Sequence, residues 1–449
     1  MALIYDFLSE DAGLITKSVT GFFPTVAVIP LKHTDEDIDV LIQKDSMVKE
    51  GQLIAKGPEC WVHSSLPGKV IDICEQPLAD GLQGLVAKIE FSGSFTYTGK
   101  KQIPADWKAY DSNLILAMLK EKGIINTFAK PCCLTNQITA LSKTENCERL
   151  LTVRLFSEDP SRCSDSFITL NYFEKIKTGA YIVAKAMNAK GIVFAYDNNS
   201  VFNPDFSDYN GAPVFTVGID AKSYPCGFMH EIVQAVKNST KELPFKKIGN
   251  RDLFIDCQTA LAVYDAIVLG IPLISRYVHV TGDCLNAAAI TKIRIGTTLK
   301  DLAMQCGGFK RKTAGIIING VVTGNTVDSM GIPVSKDVKS VSFIPQAMVP
   351  DQQIEDCSRC GNCIDICPVG LYPESLYRSY TTENKDDMHL NLIKQTAILC
   401  TECALCNSVC PSRIPLSQTI KALKERTPKE TKETIKETKE PIKETIDEK

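Results

Sequence analysis

Two stretches, CSRCGNCIDICPVG from Cys357 and CTECALCNSVCPSR from Cys400, each carry the spacing Cys-x2-Cys-x2-Cys-x3-Cys with a proline directly behind the fourth cysteine. Eight thiols so placed constrain the chain more than any other feature, because they must share a ligand or be kept apart. Disulfide frameworks belong to small secreted chains, and a chain of 449 residues is not one of those. Structural zinc takes two Cys-x2-Cys pairs, whereas here three closely spaced thiols are followed by a fourth, twice over. Soft thiolates in this number and order suit iron-sulfur cubes.

The spacing is that of bacterial ferredoxins, where the fourth cysteine of each run serves the other cluster because the chain turns away after the third. The assignment therefore crosses. One [4Fe-4S] cluster takes Cys357, Cys360 and Cys363 with Cys410, and the second takes Cys400, Cys403 and Cys406 with Cys367. Pro368 and Pro411 break the local helix after each fourth ligand. Between the runs, PESLYRSYTT and DDMHLNLIKQTAILC space their apolar residues helically, so two helices are expected to join the motifs in a helical ferredoxin module.

The other ten of the 18 cysteines, at positions 60, 74, 132, 133, 147, 163, 226, 257, 284 and 306, show no ligand spacing and read as small hydrophobes. None of the five histidines has a His or Cys partner at metal spacing. A formal charge of -3 without a basic run excludes a nucleic-acid partner. The longest apolar run, TALAVYDAIVLGIPLI from Thr259, contains Asp265 and falls short of the roughly 18 to 20 residues of a spanning helix. MALIYDFLSEDAG is not a basic-then-apolar leader, so the expectation is a reducing, cytoplasmic setting without a cleaved secretory signal.

The fold class expected is multidomain α/β and α+β. Short strands broken at Lys49-Glu50-Gly51 and Leu66-Pro67-Gly68 predict a barrel-sandwich hybrid of the lipoyl or biotinyl type over residues 1-100. Its hairpin tip, His63 to Gly68, has no lysine to carry a cofactor. A helix at 112 to 122 capped by Asp111 or Ser112, a strand from Leu150, a long helix from about Asn171 to Asn188 and a strand from Gly191 predict a βαβ unit. With further helices at EIVQAVKN and TALAVYDAIVL, these make a Rossmann-like α/β domain over 101-275. YVHVTGD, TKIRIG, TLKDLAMQCGG and GIIINGVVTG suggest a β-grasp, SLBB-like domain over 276-345, followed by the ferredoxin module over 346-424. Residues 425-449, rich in Lys, Glu and Thr, read as a disordered tail.

This order of domains resembles the RnfC family, a component of the Rnf complex, the membrane ion-translocating electron-transport complex, from about residue 20 to 424. The points of resemblance are KEGQLIA at Lys49, YPCG at Tyr224, QTALAVYDAIVLGIPLISRYVHVTGD at Gln258, NGVVTG at Asn319, and the two cysteine runs followed by PVGLYPESL and PSRIPLSQ. The resemblance implies a peripheral electron-transfer subunit of an ion-translocating oxidoreductase, on the cytoplasmic face of the inner (plasma) membrane. Other Rnf-type membrane subunits would be its partners, the membrane surface being reached through the complex. A subunit serving only as an assembly adaptor is the binding-class alternative.

The family's α/β domain resembles the flavin subunit of respiratory NADH dehydrogenase, which implies FMN and NADH and the alternative of an NADH:acceptor dehydrogenase. The family's glycine loop GGAGFP is replaced after Gly123 by GIINTFAKPCC, with Asn126, Thr127, Phe128, Ala129 and Lys130 where glycines would admit a phosphate. VRLFSEDP from Val153 replaces NAAECEP and keeps Glu158; YPCGFMH replaces YPxGGEK with Phe228, Met229 and His230. These departures speak against FMN and NADH in the family manner. With that pocket lost, a soluble redox protein such as a ferredoxin or flavodoxin is the expected electron partner.

Overall fold

The computed structural model describes residues 18–31, 37–58, 61–143, 148–200, 212–242, 245–349, 353–381 and 393–437, with side chains from 21 to 426. They fall into two compact units, Met1–Val349 and Pro350–Lys449. The architecture is mixed α/β with several sheets, followed by a helical C-terminal unit.

In the first unit, Val26–Pro30, Gln83–Phe91, Gly68–Pro77 and Met47–Val48 form an antiparallel sheet, faced by a smaller one of Asp39–Val40, Leu53–Lys56 and Trp61–His63. Alternating apolar residues, Ala27 and Ile29 on one strand and Ala87 and Ile89 on its partner, fill the space between the sheets. The tip that lacks a carrier lysine is buried: Ser64 and Ser65 are 0% exposed, and the Ser65 hydroxyl donates to the carbonyl of Ile295.

Leu150–Arg154, Gly191–Asp197, Val214–Ile219 and Leu253–Asp256 form a four-stranded parallel sheet. Parallel neighbours need crossovers, and the helix Ser164–Met187 supplies the first of them. It starts earlier than the expected Asn171, because Phe167 and Ile168 bury against the core and a non-helical Tyr172 joins two helical pieces. It packs on Cys257–Ile267, with Gly179 against the carbonyl of Ala260. A helix at Leu134–Ser142, unanticipated from sequence, follows a two-residue ladder in which Ile125–Asn126 pairs with Cys132–Cys133.

The third sheet orders its strands as Ser18–Thr20, Ala289–Arg294, Ser275–Thr281, Ser340–Ile344, Gly315–Ile318 and Asn325–Val327, with the helix Leu299–Gln305 capped by Thr298. Ser340–Ile344 was not foreseen, although it is buried along its whole length. Ser18–Thr20 pairs here, in parallel with Ile290–Lys292, apart from the small strands that follow it in sequence.

The second unit has two small cores. Leu371, Leu376, Ala397, Ile420 and Leu423 form one, and Cys363, Ile414 and Leu416 the other. Of the two expected joining helices, Pro373–Thr381 is present, and the second stretch is helical from residue 393 into the 3-10 turn Ala397–Leu399, its first seven residues lying outside the described residues. The helix Leu416–Glu437 runs into the segment whose composition suggested disorder. A helix started on a core propagates at little further cost, and Lys and Glu are good helix formers. Residues 438–449 lie outside the description.

Candidate metal centre

Each cysteine run adopts the same backbone path. In the first, Arg359 (φ 55°) and Gly361 (φ 83°) are left-handed, and the short helix Asn362–Asp365 follows. In the second, Glu402 (φ 62°) and Ala404 (φ 57°) are left-handed, followed by Leu405–Ser408. Three of these four are not glycine, so the path is held against a cost of about 1 kcal/mol or more each. The curl turns amides toward sulfur: Arg359 N donates to Cys357 Sγ and Glu402 N to Cys400 Sγ, both at 3.4 Å. After the fourth cysteines the repeat continues, Gly370 N donating to Cys367 O and Arg413 N to Cys410 O, both at 3.2 Å. Leu371 N adds a 3.3 Å bond to Cys367 Sγ.

The thiols fall into neighbourhoods. Burial pushes the Cys406 thiol up to about 12, and Cys400, Cys403 and Cys367 are its interacting neighbours. Burial also pushes Cys400 up to about 11 and raises Cys403, which interacts with Cys367. Cys363 is raised by burial and interacts with Cys360 and Cys357, and it shares a core with the partly buried Cys410 and Cys406. Cys357 and Cys360 are exposed. Among the described residues no three Cys, His, Asp or Glu side chains converge on the position of a single metal ion. A four-iron cube binds each thiolate through a different iron, so it asks for sulfurs spread around a volume and lined with amide donors. The N–H···S bonds at Cys357, Cys367 and Cys400 are amide donors of that kind. As thiolate ligands the cysteines would release their protons on loading.

Of the remaining cysteines, Cys133, Cys257, Cys284 and Cys306 are buried, Cys74, Cys132, Cys163 and Cys226 are half-buried, and Cys60 and Cys147 lie outside the described residues.

In the loop after Gly123, two of the amides that a glycine loop would offer to a flavin phosphate are already engaged. Thr127 N donates to Thr259 Oγ1 (3.1 Å) and Phe128 N to Asn126 Oδ1 (3.0 Å). The Thr127 hydroxyl donates to Asp256 (2.7 Å), and the Asn126 amide to the carbonyl of Phe254 (2.7 Å). Phe128 is buried under the guanidinium of Arg154, 4.2 Å from its ring centroid. Arg154 in turn bonds the carbonyls of Gly227 and Phe128 and pairs with Glu158, which also holds Arg162. Lys339 pairs with Asp256 at 2.6 Å.

Burial works to raise both carboxyls. Arg154, Arg162 and Lys339 outweigh it at Glu158, and Lys339 and Arg276 outweigh it at Asp256, so both stay below the usual carboxylate range. Arg154 and Arg162 are paired with Glu158 and Lys339 with Asp256, while Lys130 lines a cavity of about 290 Å³ with Asn126, Phe128 and Ala129.

Sequence reasoning singled out Glu158 in this cluster but missed Arg154, Arg162, Asp256 and Lys339. The one available signal was Asp256 ahead of a helix with Thr259 three residues on, and Asp256 Oδ1 does accept from Thr259 N. Asp159 was also missed. It accepts from Val322 N and Thr323 N, which accounts for the NGVVTG turn as a packing device.

Residues 353–414 match the sequence model of the 4Fe-4S dicluster domain, so the class of the chain is that of iron-sulfur proteins. The chain is 27% identical over 372 residues to a component of the proton-translocating ferredoxin:NAD(+) oxidoreductase complex of Clostridium ljungdahlii, covering 79% of this chain and 78% of that one. It is 25% identical over 393 residues to the corresponding component of the Na(+)-translocating ferredoxin:NAD(+) oxidoreductase complex of Acetobacterium woodii, covering 82% and 84%. A chain of the NAD+-reducing [NiFe]-hydrogenase in the H2-reduced state aligns with a TM-score of 0.46 at 12% identity, over 74% of this chain and 68% of that one. Along about four-fifths of its length the chain is thus similar to the C subunits of Rnf-type ion-translocating oxidoreductase complexes.

Proposed function

We propose that this chain is the peripheral electron-transfer subunit of an Rnf-type ion-translocating oxidoreductase, with two [4Fe-4S] clusters held by Cys357, Cys360, Cys363 and Cys410, and by Cys400, Cys403, Cys406 and Cys367. The observation that carries the reading is the duplicated loop, left-handed at equivalent positions, with Cys367 among the neighbours of the second run's thiols. Bound there, each cluster would take up and release one electron. The chain's own contribution is the thiolate cage, the amides on its sulfurs and the exclusion of water from Cys363 and Cys403, both buried.

Among the described residues no helix is long and apolar enough to cross a membrane, so ion movement is assigned to other subunits of the complex. Docking at the cytoplasmic face of the membrane is part of the same reading. The proposed domains are the barrel-sandwich (1-100), Rossmann-like (101-275), β-grasp (276-345) and cluster (346-424) segments, the first three serving as scaffold and docking surface. The engaged amides of Thr127 and Phe128 support a chain without FMN and NADH chemistry, so a soluble ferredoxin or flavodoxin exchanges electrons with it.

The test is anaerobic purification with iron, sulfide and flavin quantitation, then titration with NADH watched in the cluster absorbance. About eight irons, no flavin and no bleaching by NADH is the expected result. Flavin with rapid bleaching would restore the dehydrogenase. Electron flux that survives Cys363→Ala and Cys406→Ala in an assembled complex would reduce the chain to an adaptor.

A further inference from the structure

The two cysteine loops share a backbone path but not an electrostatic setting. Behind the second stands Lys424, whose Nζ donates to the carbonyl of Cys400 and to Glu402 Oε1, both at 2.8 Å. Its position is set by packing. Ile420 and Leu423, on the same helix, lie in the core with Leu371, Leu376 and Ala397, and Cys367 and Cys400 pack against that core. The packing of Ile420 and Leu423 thus holds the Lys424 backbone beside the loop. Glu402 stands on the loop itself: its amide bonds Cys400 Sγ and its carboxylate pairs with Lys424.

At the equivalent position of the first loop stands Arg359, in an exposed stretch that includes Cys357 and Cys360. A charge in that stretch is screened by solvent, whereas Lys424 and Glu402 are each about one-third exposed, at 31% and 38%.

We propose that the Lys424–Glu402 pair sets the reduction potential of the cluster at Cys400, Cys403, Cys406 and Cys367 independently of the other cluster, Lys424 raising it and Glu402 lowering it. The proposal rests on the reading that both cysteine quartets are loaded. Reduction adds one electron to a cage already carrying four thiolates, so a cation beside the cage favours the reduced form and an anion disfavours it. The pair lets the fold offset two cubes whose cysteine spacing is identical.

The experiment is an anaerobic potentiometric titration with dithionite and mediators, followed by EPR, on the full chain as wild type, Lys424→Gln, Lys424→Arg and Glu402→Gln, each with its iron count. Lys424→Gln should lower one of the two potentials by at least a threefold change in the one-electron equilibrium, about 28 mV at 59 mV per tenfold, and leave the other in place. Glu402→Gln should raise the same potential, and Lys424→Arg should keep it near the wild-type value. A loop merely loosened by the substitutions would not shift with opposite sign in the two neutral variants. Eight irons with unmoved potentials, or with both potentials moving together, overturns the proposal. Fewer than eight irons in the wild type overturns the loading on which it stands.

Discussion

Single residues decide how this chain responds to pH. His63 lies at the buried hairpin tip, and burial, with the ammonium groups of Lys336 and Lys122 nearby, lowers its pKa to about 3. Unfolded, it protonates near 6.5, so below that pH the unfolded chain binds a proton that the folded chain refuses. Stability therefore falls as pH drops from about 6.5 toward 3, by up to about 1.4 kcal/mol per unit from this residue alone. Urea unfolding of the first unit at pH 7, 6 and 5 should show that slope, and His63→Gln should flatten it. Glu158 and Asp256 act lower on the scale: their carboxyls are held below the usual range, so their contribution is present above about pH 4 and is lost on further acidification. His63 was visible in the sequence only as part of a tip without a lysine. Its neutral state follows from neighbours far along the chain.

At the scale of elements, helix packing is governed by close approach as much as by apolar pattern. Gly179 sits where Ser164–Met187 crosses Cys257–Ile267, and a β-carbon there would overlap the carbonyl of Ala260. Gly179→Ala should destabilise the first unit by about 1 to 3 kcal/mol despite its better helix propensity, measurable as a lower denaturant midpoint. The helices and the parallel strands around them were legible because their apolar residues keep a period. Ser340–Ile344 was not, since SVSFI alternates serine with apolar residues in a strand that the sheet buries on both faces. The start of Ser164–Met187 was hidden for a similar reason: Ser164 and Asp165, which look like surface or capping residues, are fully buried beside other polar groups. The ion pairs of Arg154 with Glu158 and of Lys339 with Asp256, beside the loop after Gly123, were not legible.

Across the whole molecule, the two units differ in how much they depend on a ligand. The first has extensive cores of its own, while the second, among the described residues, has a handful of buried apolar side chains beside its eight cysteines. Small cores of that size give little stability alone. Removing iron with a chelator under anaerobic conditions should therefore raise amide exchange across residues 353–437 and leave the exchange of 245–349 unchanged, as read by mass spectrometry. Protection lost equally in both ranges would contradict this division. By itself the sequence determined the ligand chemistry, because thiolate number and spacing are local properties of a short stretch of chain, and it determined the periodic elements for the same reason. Only the tertiary structure decided which amides near Thr127 are already engaged, which acids and bases meet around Glu158 and Asp256, and that Lys424 stands behind Cys400. Those depend on side chains distant in sequence meeting in a water-poor interior, where charge and hydrogen bonding are set by neighbours that no local pattern encodes.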